Sequence, residues 1–140
     1  MHVADRVEIA KDSQPESVRL QKLTALLHDA SEAYVGDMAG PLKHLLCMAQ
    51  YRNLEDKIAE SIRQRFGLLA FNSIGIKTAD KRLKHTEKRD LMPPDDNVWR
   101  GEAEYPPYAD LRLLMPLQGC ETSYQLAEEF LRRARWYGAE

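Results

Sequence analysis

Leu26-Leu27-His28-Asp29-Ala30-Ser31-Glu32-Ala33-Tyr34 sets a polar pair inside an apolar helical run, with a further carboxylate one turn on. An unpaired charge buried at such a point is costly, so His28 and Asp29 are expected either to pair or to hold a metal. An imidazole nitrogen and carboxylate oxygens together suit a borderline divalent cation. On a continuous helix Glu32 stands at i+4 from His28 and at i+3 from Asp29, so all three face one cavity. The run reads as the floor of a metal site.

Helical periodicity extends from this stretch in both directions, and no alternating strand pattern interrupts it. Upstream, Val3, Val7 and Ala10 form a stripe on a short opening helix beginning almost at Met1. Ser13-Gln14-Pro15-Glu16 reads as a capping box with proline in the first turn. The helix it starts is predicted to run through Val18, Leu20, Leu23, Leu27 and Ala30 to about Tyr34. Downstream, Gly36 and Gly40-Pro41 punctuate the chain before a short helix around Leu42 to Met48. Leu54, Ile58, Ile62 and Phe66 mark another helix that Gly67 stops. Ile76, Ala79, Leu83 and Leu91 outline the next, ending before Pro93-Pro94. Residues 93–107 then form a polar loop carrying Trp99 and Tyr105, long enough to be functional as well as connecting. Leu111, Leu114 and Met115 suggest a short helix stopped at Pro116. Leu126, Ala127, Phe130, Leu131 and Ala134 make one stripe on a last amphipathic helix, with Gly138 beyond its end. The expected fold is an all-α bundle of about six or seven helices, forming one domain over residues 1–140.

Composition narrows the function class. The chain has 140 residues, 44% hydrophobic and 30% charged, with a formal net charge of −2. That balance is ordinary for a soluble globular domain and gives no global field for nucleic-acid phosphates. No apolar run approaches the roughly 20 residues that span a bilayer. Charges near the start leave no room for the apolar core of a signal peptide. Cys47 and Cys120 lack metal-type spacing and read as free thiols. The expected location is cytoplasmic, with neither nucleic acid nor membrane as partner.

A second carboxylate of interest is Asp80 in Ile76-Lys77-Thr78-Ala79-Asp80-Lys81-Arg82-Leu83, beside the apolar edge of its helix, with Glu87 on the same side. A metal held by His28 and Asp29 needs a ligand from another element, and Asp80 is the best-placed one. The alternative is that Asp80 pairs with Lys77, Lys81 or Lys84 on a solvated face. His44 and His85 have no ligand partners at suitable spacing and read as surface or outer-shell groups. Arg132, Arg133 and Arg135, beside Trp136 and Tyr137, follow Glu128 and Glu129 and suit the electrostatics of a helix C-terminus.

The stretch from Leu26 to Asp37, followed by Gly40-Pro41-Leu42-Lys43, resembles the core of the HD-domain metal-dependent phosphohydrolases. It is most similar to the branch holding bacterial 5′-deoxynucleotidases and their phage-type relatives. Tyr51-Arg52-Asn53-Leu54-Glu55 and Ile76-Lys77-Thr78-Ala79-Asp80, then Glu87, extend the resemblance, which covers roughly residues 2 to 92. It implies an HD-like helical fold and a divalent ion, Mn²⁺, Co²⁺, Zn²⁺, Ni²⁺ or Mg²⁺, with His28, Asp29 and Asp80 as ligands. It further implies Glu32 and Asp37 as catalytic acids and Lys43 as a substrate-contacting cation. Family members carry a first metal histidine upstream of a run like Ser-Val-X-Val-Ala. Aligned on Val3-Ala4, that ligand falls just before Met1, as though the N-terminal helix were truncated. His2, about one turn away, is then either a substitute ligand or an exposed terminal residue.

The activity so implied is hydrolysis of a nucleoside 5′-monophosphate or similar phosphomonoester by metal-activated water. Glu32 would orient the water or move its proton, Asp37 would serve the leaving ribose oxygen, and Lys43 would offer charge to phosphate. The alternative is an HD-like binding or assembly protein with an incomplete, catalytically weak metal site. A homodimer is compatible with either.

Overall fold

The computed structural model describes residues 2–11, 13–71, 73–94, 96–113 and 119–139, and the side chains among them other than those of residues 2 and 119–123. Among the described residues the chain is all-helical. Seven α-helices run α1 His2–Arg6, α2 Pro15–Leu26, α3 Glu32–Val35, α4 Gly40–Lys43, α5 Ala49–Arg65, α6 Ile74–Leu91 and α7 Gly119–Trp136, with a 3₁₀ turn at Leu46–Met48. The short helix expected around Leu114 and Met115 falls mostly outside the described residues, and Leu111 to Leu113 are not helical.

Helix ends follow local chemistry. Pro15 occupies the first turn of α2, but the residue capping it is Gln14 with no side-chain cap bond, so the expected Ser13 capping box does not form. Ser73 does cap α6, its hydroxyl accepting from the Ile76 N–H at 3.4 Å. Gly67 and Gly138, at φ of +60° and +96°, end α5 and α7 in the left-handed region that a side chain disfavours. Beyond them the Leu68 N–H bonds Arg63 O and the Ala139 N–H bonds Ala134 O, each 2.9 Å, closing two Schellman caps.

Helix α6 organises the core through three faces. Ile76, Ala79 and Leu83 are buried with Val3, Ala4 and Val7 at the N-terminal end and with Ala25 and Leu26 of α2. A second cluster joins Leu23 and Leu27 to Leu68, and Phe130 of α7 packs against both. The next face of α6 holds the irregular chain after it. His85 donates from Nδ1 to Tyr105 O at 2.7 Å, and Arg82 bonds Pro106 O at 3.0 Å. Thr86 Oγ1 accepts from the Tyr108 N–H at 3.0 Å, and Arg89 donates to Tyr108 O and Leu111 O. His85, expected at the surface or in an outer shell, is buried: its ring satisfies a backbone carbonyl of a segment without a ladder of its own. The third face, with Asp80, Lys84 and Lys88, looks onto a cleft.

Two apolar stripes are less buried than their periodicity predicts. Among the apolar stripe residues of α7, Ala134 is buried and Phe130 partly so, whereas Leu126 and Leu131 are 48% and 50% exposed. On α5 Leu54 is 51% exposed and the buried residue is Glu55. No helix among the described residues is long and apolar enough to cross a membrane.

Candidate metal centre

Helix α2 does not continue to Tyr34. It ends at Leu26, residues 27–31 form turns, and Glu32 begins the separate α3. The expectation of one uninterrupted helix carrying His28, Asp29 and Glu32 is thus corrected. The apolar period survives the break because Leu23 and Leu27 are buried together and Ala30 packs against them. The break is bridged by the His28 ring, whose Nδ1 donates to Ala25 O at 3.0 Å.

That bond fixes the tautomer. With Nδ1 carrying the proton, the neutral ring turns an Nε2 lone pair outward, the arrangement found in metal-ligating histidines whose other nitrogen bonds a carbonyl. His28 Nε2 lies 2.8 Å from Asp29 Oδ2 and 3.8 Å from Asp80 Oδ1. It is nevertheless buried without a formed hydrogen bond: Asp80 is beyond hydrogen-bond distance, and Asp29, though near enough for an ion pair with a protonated ring, makes none. One ligand atom from each of His28, Asp29 and Asp80 lies within 4.8 Å of the others. An orphaned ring nitrogen between two carboxylates fits a divalent cation. The carboxylates themselves are more exposed than their apolar sequence context suggests, at 56% and 53%. The interruption of the helix lets Asp29 face the cleft instead of the core.

Electrostatics agree with this geometry. Burial opposes protonation of His28, but Asp29 and Asp80 outweigh it and raise its pKa to about 9. In the metal-free protein a proton takes the place a cation would fill. Burial, with the charges of Asp29 and Asp37, raises the Glu32 carboxyl above its ordinary value. Desolvation and the neighbouring Asp80 do the same for Glu87.

The cleft, about 900 Å³ in volume, brings together His28, Asp29, Asp80, Glu32, Asp37 and Lys43. Asp37 comes from the loop after α3 and Lys43 from the end of α4. The first turns of α5 hold this segment: Tyr51 Oη donates to Gly36 O at 2.5 Å, and Arg52 donates to Lys43 O and Leu45 O. Lys43 itself is paired with the buried Glu55 at 2.6 Å, so its charge is shared with that carboxylate. His2 opens α1, and its side chain lies outside the described residues. His44 is exposed. Sequence reasoning gave no site role to Lys84, Lys88 or Trp99, which also line the cleft. The i+4 and i+8 spacing of the lysines from Asp80 was the available signal.

No family model matches the chain, and no solved structure matches it. Curated bacterial relatives include the uncharacterized protein YfdR of Escherichia coli K12, 44% identical over 75 residues that make up 54% of this chain and 41% of the relative. An uncharacterized protein of Rhodobacter capsulatus is 42% identical over 60 residues, 43% of this chain and 30% of that protein. The chain spans less than half the length of these relatives.

Proposed function

We propose that the chain is an HD-type, metal-dependent phosphohydrolase acting on a nucleoside 5′-monophosphate or a similar small phosphomonoester. The observation that carries this reading is the unbonded Nε2 of His28 beside the Asp29 and Asp80 carboxylates. A divalent cation held by these residues would lower the pKa of a coordinated water and take up charge on a phosphoryl oxygen.

The remaining chemistry falls to the chain's own groups. Glu32, its carboxyl pushed upward by burial and by the charges of Asp29 and Asp37, is suited to take a proton from the attacking water. Asp37, on the same cleft, is suited to hold or protonate the leaving oxygen. Glu55 holds Lys43 in place, which gives a fixed positive charge at the cleft while reducing its net pull on phosphate. That pairing favours the second reading, a helical binding module whose site holds a cation but turns over little.

Phosphate release separates the two. With Mn²⁺ or Co²⁺, the protein is expected to hydrolyse one or more members of a panel of 5′-nucleotides and other phosphomonoesters, and Glu32→Ala is expected to abolish this. Metal binding without phosphate release from any substrate favours the binding module.

A further inference from the structure

One wall of the cleft takes no part in the proposed hydrolysis. Trp99, in the loop after α6, lines the same cleft as His28 and Asp80 and is partly buried. Lys84 and Lys88 follow Asp80 on one face of α6, about 6 and 12 Å from it along the axis at the usual helical rise. Their ammonium groups lie over the Trp99 ring, 5.7 and 5.4 Å from its centre, as cation–π neighbours of its face toward α6. The indole thus sits beside the stretch of α6 one to two turns beyond Asp80.

Its position is fixed from behind. Glu102 accepts from the Trp99 backbone N–H at 3.0 Å and from Lys88 Nζ at 2.9 Å. Lys88 also donates to Asn97 O, and its side chain is only 12% exposed. A polar loop with no regular structure has therefore been tied down around one aromatic ring. The cleft is large enough for a whole small molecule, where a bare phosphate would fill a fraction of it. Cation-binding acids at one end, an exposed ammonium at Lys84 and a fixed aromatic plane beyond it complement an anion that carries a planar ring a few bonds away.

Building on the phosphohydrolase reading, we propose that Trp99 is the stacking platform for the substrate's nucleobase, so that the cleft selects nucleoside 5′-monophosphates over phosphomonoesters without an aromatic ring. Base–aromatic stacking is commonly strong enough to change affinity about tenfold or more. The chain has two tryptophans, so in a Trp136→Phe background all tryptophan emission reports on Trp99. With Glu32→Ala added so that neither ligand is hydrolysed, and with Mg²⁺ present, adenosine 5′-monophosphate should quench that emission and bind at least about tenfold tighter than ribose 5-phosphate. Calorimetry should show the advantage retained in Trp99→Phe and nearly lost in Trp99→Ala. Equal binding of the two ligands, no quenching, or an advantage that survives Trp99→Ala overturns the proposal. These readouts are equilibrium binding, so a lack of phosphate release would defeat the hydrolase reading while leaving the stacking result to be judged separately.

Discussion

His28 Nε2 stands 3.8 Å from Asp80 Oδ1, although α3, α4 and α5 all lie between the two residues in the chain. The meeting depends on two independent features. Helix α2 stops at Leu26, which frees the His28 ring to turn toward the cleft, and Asp80 occupies the face of α6 beside the buried Ala79.

The pH dependence of the metal-free protein should report this relationship. The folded-state pKa of His28, about 9, lies above its ordinary 6.5, so the folded form holds the extra proton. The associated stability is fully present below pH 6.5 and is lost as pH rises from there through about 9. The loss reaches at most about 1.4 kcal/mol per pH unit. Thermal melts across that window should show the decline, and Asp80→Asn should flatten it. Cation binding should strengthen over the same window, because it displaces the proton.

Thr24 and Thr86 are both fully buried and make the same pair of bonds. Each hydroxyl donates to the carbonyl four residues earlier, Leu20 O or Arg82 O, at 2.7 Å. Each also accepts a distant backbone N–H, from Leu69 at 3.1 Å or Tyr108 at 3.0 Å. Replacement by valine keeps the shape but orphans that N–H, at a cost of about 1–3 kcal/mol each. Denaturant unfolding of Thr24→Val and Thr86→Val measures this, and the serine variants should lose less.

Lys43 and Glu55 are coupled by burial of the carboxylate. Lys43→Ala leaves that charge unpaired and should destabilise the protein more than the double variant Lys43→Ala/Glu55→Ala does. A double-mutant cycle in urea checks this ordering. It also shows how much of any activity lost in Lys43→Ala comes from folding.

Phe130→Ala should cost roughly 2–3 kcal/mol, below the ~3–5 of a fully buried phenylalanine, because Phe130 is only partly buried against the two core clusters. Leu131→Ala, at a position 50% exposed, should stay within about 0.5 kcal/mol of wild type. Equal effects of the two would contradict the observed orientation of α7.

Those two residues also show where the sequence was legible and where it was not. Ile76, Ala79 and Leu83 announced α6 because one helix face is buried along its length, and Gly67 and Gly138 marked ends that left-handed caps require. Leu126 and Leu131 repeat the same period on α7, yet periodicity carries no information about whether a partner covers the stripe. His28, Asp29 and Asp80 were legible as a set of ligand types. The break in α2 that assembles them was hidden, because Leu27 and Ala30 keep the helical spacing across it. His85 and Trp99 were missed as packing and cleft residues because their hydrogen-bond partners, Tyr105 and Glu102, lie in irregular chain after α6 that carries no periodic signal.

The central claim is that His28, Asp29 and Asp80 form one divalent-cation site. Titration of the purified protein with Co²⁺, followed by its visible absorption, tests it most directly. One Co²⁺ per chain is expected at this site, with affinity reduced at least about 10–100-fold in His28→Ala and in Asp80→Asn, by comparison with the usual cost of disturbing a metal's surroundings. Absence of a Co²⁺ band, or a band that persists unchanged in His28→Ala while that variant remains folded, would contradict it.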